Sequence, residues 1–85
     1  MVDFTYVIRD ELGIHARPAG LLAKLAAGFK SSITLRVGDA EADAKRLISI
    51  MKLGAQKDQT VAITIEGEDE EAALAALKTF MQENL

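Results

Sequence analysis

Two periodicities alternate along this chain, and their order limits the folds open to it. Thr60–Glu66 shows the first most plainly. Val61, Ile63 and Ile65 stand at every second position, with Thr60, Ala62, Thr64 and Glu66 between them. A period of two belongs to a strand with one buried face. Residues 2–8 repeat it through Phe4, Tyr6 and Ile8, and Ser32–Val37 through Ile33, Leu35 and Val37. Gly38-Asp39 is a two-residue hairpin signal. Residues 40–44, where Glu41 and Asp43 alternate with alanines, are therefore expected to return as a short strand.

The second period is three to four residues. Leu22, Leu25, Ala26 and Phe29 line one side of a helix expected from Ala16 to Ala27 or Gly28. Ala73, Leu74, Leu77, Phe80 and Met81 give a last helix its stripe, and the acidic residues of 67–71 suit that helix's positive end. Residues 45–53 are less ordinary. Leu47, Ile48, Ile50, Met51 and Leu53 surround a short helix whose only polar stripe is Arg46, Ser49 and Lys52, and Gly54 ends it. So small a helix can be a core helix with a wide apolar face. Alternatively it leaves apolar groups in solvent, which marks a contact surface. The element order is βαββαβα. It predicts an α+β fold, a two-layer open-faced sandwich in which a four-stranded, mainly antiparallel sheet carries three helices on one face.

Composition removes several classes of function. Eighty-five residues, 49% of them hydrophobic, are expected to form a single domain over 1–85. The absence of cysteine rules out disulfides and thiolate metal sites. With one histidine, no metal site and no cofactor are expected. A net charge of −3 argues against nucleic acid as a main partner. No apolar run approaches ~18 residues, so no direct membrane insertion is expected. Residues 1–4 lack the basic start of a signal peptide, and a cytoplasmic location is expected.

The only histidine and the only proline lie together in residues 13–19, Gly-Ile-His-Ala-Arg-Pro-Ala. Proline is tolerated in the first turn of a helix, where its missing N–H is not needed. That puts His15 at or beside the N-cap. A helix start offers unpaired N–H groups and the positive end of the dipole, a ready place for phosphate. Imidazole there is a nucleophile that can be phosphorylated. Arg17 stands against the dipole at a cost of about 0.3–1 kcal/mol, and its planar fork suits phosphate oxygens. The plainer reading makes His15 a polar cap and Arg17 a solvated charge. Glu11 is either a base toward His15 or a solvated loop charge. Gly20, which weakens a helix by about 0.5–1 kcal/mol, lies with Lys24 toward Arg17. Close approach of a partner and simple drift explain it equally.

These seven residues closely resemble the active-site signature of the HPr family, the histidine-containing phosphocarriers of the bacterial phosphoenolpyruvate:sugar phosphotransferase system. The resemblance runs end to end, through residues 45–54 and the Gly-Glu-Asp-Glu-Glu run of 67–71. It implies phosphorylation of His15 at Nδ1, with Arg17 assisting and the N–H groups of Ala16 and Arg17 cradling the phosphoryl group. It implies Enzyme I as donor, the IIA domains of sugar transporters as acceptors, and no substrate turnover of the carrier's own. Leu47, Ile48 and Met51 fall where the family carries an exposed apolar patch. Lys24, Lys45, Arg46 and Lys52 would ring it with positive charge, facing partners with acidic rims, and Gly20 is expected to bind partners beside them. A monomer is expected. One departure stands out. Arg46 occupies the position of the regulatory serine that some family members carry, so no serine switch is expected, and Ser49, inside the helix, does not inherit that role. The alternative is an HPr-like regulatory module that acts mainly through protein contacts.

Overall fold

The computed structural model describes residues 1–85. β1 (Val2–Val7), β2 (Ser32–Val37), β3 (Ala40–Asp43) and β4 (Thr60–Glu66) form one antiparallel sheet in the order β1-β4-β2-β3. The register explains the alternation in the sequence. Phe4, Ile63, Leu35 and Ala42 pair across all four strands as one apolar row, while Asp3, Thr64, Thr34 and Asp43 form a polar row on the other face. Helices α1 (Ala16–Ala27), α2 (Leu47–Leu53) and α3 (Glu70–Asn84) complete the order βαββαβα. They bury Leu22 and Ala26, Ile50 and Leu53, and Ala73, Leu77, Phe80 and Met81 in one core with the apolar rows. Burial of each large aliphatic side chain contributes about 1.5–3 kcal/mol. No helix is long and apolar enough to cross a membrane.

The elements differ from their expected limits only at the ends. β1 stops at Val7, although the Ile8 N–H still reaches the Gln59 carbonyl in register at 3.0 Å; the Ile8 carbonyl accepts from Asp58 instead of Gln59, at 2.8 Å, and the ladder ends there. β3 stops at Asp43, although the Ala44 N–H still reaches the Ile33 carbonyl at 2.9 Å. α2 begins at Leu47 rather than residue 45, because the Asp43 carboxylate accepts the Lys45 N–H at 2.9 Å and forms a turn there. Of the expected apolar side, Leu25 on α1 and Phe29 just beyond its end are half-buried, whereas Pro18, Ala19, Leu22 and Ala26 are fully buried. The buried side is thus rotated toward the start of the helix.

The loop between β1 and α1 is fastened from several directions. Arg9 and Asp10 donate their N–H groups to the Leu85 main-chain oxygen at 2.6 and 2.9 Å, and Ile14 donates to Ala55 at 3.0 Å. Gly13 lies at φ +66°, and a Cβ there would collide with the Ala55 carbonyl oxygen. Glycine therefore serves twice, for the turn and for the close approach that seats the start of α1.

Candidate functional site

His15 is the N-cap of α1, extended at φ −96° and ψ −178°. Its carbonyl accepts the Ala19 N–H at 2.9 Å, but its imidazole caps nothing. Pro18 has no N–H to offer. The N–H groups of Ala16 and Arg17 therefore point out of the helix start without an acceptor in the chain. The first turn contains no acid. Arg17 is exposed and forms no ion pair. Two open donors, a free guanidinium and a dipole end converge beside one imidazole, an arrangement suited to a phosphoryl group that arrives and leaves.

A shallow cleft of about 220 Å³ opens here, lined by Asp10, His15, Arg17, Pro18, Leu21 and Asn84. Asp10, Leu21 and Asn84 escaped the reading of the sequence. Leu21 was within reach of it, being one turn from Arg17 on the same face. Asn84 comes from the far end of the chain, and no local pattern announces it. Asp10 places Oδ1 3.7 Å from His15 Nε2. Glu11, the acid considered as a base, turns away to Lys57 at 3.3 Å and is a solvated loop charge.

α2 packs against α1. It buries Ile50 and Leu53 and leaves Leu47, Ile48 and Met51 exposed, with Ile48 at 65%. Its surplus of apolar residues thus reaches solvent, and Leu21 adds an exposed apolar group on α1. Gly54 ends the helix in the left-handed region at φ +65°. The charges around this surface are segregated. Arg9 rests on Tyr6, Lys30 pairs with Glu68, Arg36 with Glu41, Lys57 with Glu11, and Lys78 lies over the Phe4 ring. Lys24, Arg46 and Lys52, like Arg17, have no side-chain partner. No acid occurs in residues 12–38 or 44–57. Lys45 departs from expectation. Its ammonium is bound to the Phe29 carbonyl at 2.8 Å, near the C-terminal end of α1, and is not free to border the patch. Gly20 is partly exposed on α1, and a methyl group added to it would meet nothing.

The family model for the PTS HPr component phosphorylation site matches residues 2–83. The chain belongs to the HPr family. The phosphocarrier protein HPr of Mycoplasma genitalium is 42% identical to it over 85 residues, spanning 99% of this chain and 97% of that one. Among solved structures, a mycoplasma histidine-containing phosphocarrier protein superposes with a TM-score of 0.94 at 32% identity, over 96% of this chain and 93% of the other. An HPr of Thermoanaerobacter tengcongensis gives 0.91 at 35%, over 96% and 92%. With HPr relatives matched along nearly their whole length, the chain is a phosphocarrier of the phosphotransferase system.

Proposed function

We propose that His15 accepts a phosphoryl group at Nδ1 from phosphorylated Enzyme I, itself charged by phosphoenolpyruvate, and passes it to the IIA domains of sugar transporters in the cytoplasm. The observation that carries this reading is the helix start without internal partners. His15 caps nothing, Ala16 and Arg17 leave two N–H groups open, and Arg17 stands free beside them. Phosphoryl transfer asks a carrier mainly for position and charge stabilisation. One arginine and two amides supply enough of both to hold the group without trapping it. The carrier returns to its starting state once the group moves on, and turns over no substrate of its own.

Docking falls to the adjoining surface. Leu47, Ile48 and Met51 supply apolar contact, Gly20 allows close approach, and Lys24, Arg46 and Lys52 draw in a partner with an acidic rim. Arg46 leaves no hydroxyl at the start of α2, and we assign this chain no kinase-driven serine switch. Incubation with an HPr serine kinase and ATP is expected to leave no stable phosphoserine. The main test is mass spectrometry after mixing the protein with Enzyme I and phosphoenolpyruvate, beside a His15→Ala control. One acid-labile phosphoryl group, absent from the control, is expected. No gain with an active Enzyme I would sink the carrier reading.

A further inference from the structure

We infer that Asp10 is a positioning residue for phosphoryl transfer, one that holds the proton of His15 on Nε2 and so leaves the Nδ1 lone pair free to attack. The inference rests on the reading of His15 as the acceptor. Asp10 Oδ1 stands 3.7 Å from His15 Nε2, with the two side chains 30% and 37% exposed. His15 Nδ1 has no partner in the chain, since the side chain makes no capping bond. The two ring nitrogens therefore meet different surroundings. One faces a carboxylate and the other is open.

The carboxylate is held in place. Its Oδ1 accepts the Leu12 N–H at 2.8 Å, while the Asp10 carbonyl accepts the Gly13 N–H at 3.0 Å and the Asp10 N–H donates to Leu85 at 2.9 Å. An Asx turn of this kind needs an acceptor oxygen and no charge. Asparagine or serine would close it equally well. The negative charge is thus in excess of what the turn requires, and it lies next to a site that must admit an anion. That placement is unfavourable for the incoming phosphoryl group unless it serves the ring. The other acid of the loop, Glu11, has Lys57 as its partner and does not compete for the role.

The chemistry balances without any proton leaving the ring. The Nδ1 lone pair forms the N–P bond while the bond from phosphorus to the donor atom breaks, and the donor keeps that electron pair. The ring becomes a phosphoimidazolium with its proton still on Nε2. Its positive charge appears opposite Asp10, where a fixed carboxylate stabilises it. A distance of 3.7 Å is too long for a direct hydrogen bond but short enough for charge to act. In the onward step the N–P bond breaks, its electron pair returns to Nδ1, and the neutral ring is restored with the same tautomer.

Asp10→Asn tests the assignment, because it keeps the turn and removes the charge. Asp10→Ser closes the same turn through a hydroxyl and covers the case in which the asparagine variant folds poorly. With Enzyme I and phosphoenolpyruvate, either variant is expected to lose about fivefold in turnover as an acceptor, the weight of one unit charge at this range in a water-like medium, with KM unchanged. Two further readouts lie beyond a merely structural role. The fraction of His15 protonated at Nε2, read from ring ¹⁵N shifts, is expected to fall. The phosphorylated variant is expected to hydrolyse more slowly, because the ring loses stabilisation of the protonated form that makes it a good leaving group. Wild-type turnover, tautomer and hydrolysis rate in a folded variant would overturn the role of Asp10 and leave His15 as the carrier. A wild-type protein that gains no phosphoryl group would instead remove the acceptor itself, and Asp10 with it.

Discussion

Two helix starts in this molecule solve the same electrostatic problem in opposite ways. α3 begins with Asp69, Glu70 and Glu71, and the first two hold other parts of the chain to this end of the helix. Asp69 accepts the N–H groups of Lys30 and Ser31 at 2.8 and 2.9 Å and the Ser31 hydroxyl as well. Glu70 accepts the Gly67 N–H at 3.1 Å and pairs with the Met1 amino group at 3.0 Å. These bonds hold both carboxyls below their ordinary range. The Ser31 hydroxyl is the main cause for Asp69, which falls to about 2, and the Met1 amine for Glu70. α1 begins with an imidazole that caps nothing and an arginine that opposes the dipole. Neither N-cap side chain bonds its own helix, so the difference is one of charge: α3 sets carboxylates at its positive end, and α1 leaves that end without an acid and beside a cation. Where a fold declines an easy stabilising contact, function is the first place to look for the reason.

The comparison can be broken most sharply at His15. His15→Ser supplies the missing cap. It should abolish phosphoryl acceptance from Enzyme I and stabilise the protein by about 0.5–2 kcal/mol. Denaturant melts beside mass spectrometry check both, and a serine variant less stable than wild type would show that His15 is there for the fold. Arg17→Gln should lower the transfer rate by about a hundredfold, as loss of one donor to developing charge does elsewhere. Its thermal stability should stay level or rise, since a cation leaves the positive end of a helix.

Asp69→Asn should act in the reverse sense, lowering Tm while phosphoryl acceptance stays at the wild-type level. The sign of its pH dependence follows from the depressed carboxyl. Relative to an ordinary value of 3.8, a folded value of about 2 means a stabilisation fully present above roughly pH 4. It fades as pH falls and is gone once pH passes through the folded value, so the two Tm curves should converge there. The smallest effect is expected at Gly20. With open space around it, Gly20→Ala should stabilise α1 by about 0.5–1 kcal/mol. A rise in KM for Enzyme I alongside that gain would mark the glycine as a place of close approach. Unchanged kinetics would leave it to drift.

The open start was legible in the sequence because its signals are local. Pro18 dates the first turn, Gly13 the bend before it, and Arg17 contradicts the dipole within two residues of His15. The exposed face of α2 was legible because Leu47, Ile48, Ile50, Met51 and Leu53 exceed what one side of a short helix can bury. The acidic start of α3 was only half legible. Acids after Gly67 announce a helix, but their partners Lys30 and Ser31 are brought to them by tertiary packing, which no spacing encodes. Lys45 was misjudged for the same reason. Its charge suggested the patch, while the fold carried its ammonium to the Phe29 carbonyl. Asp10 lies close to His15 in the chain and was still missed, because an irregular loop has no period from which a side chain's direction can be read.

The seat of Gly13 against Ala55 also sets an order in time. Ile14 hangs from Ala55, and Ile8 is bonded to both Asp58 and Gln59, so the loop that presents His15 is shaped by residues far downstream. Closing so long a loop is entropically slow and precedes any reward from the contact. A nascent chain leaving the ribosome has made its histidine long before it has made the strand that seats it. The seat of the histidine loop is therefore complete only once residues 55–59 have been made and β4 lies between β1 and β2, and a shorter chain holds His15 on an unfastened loop.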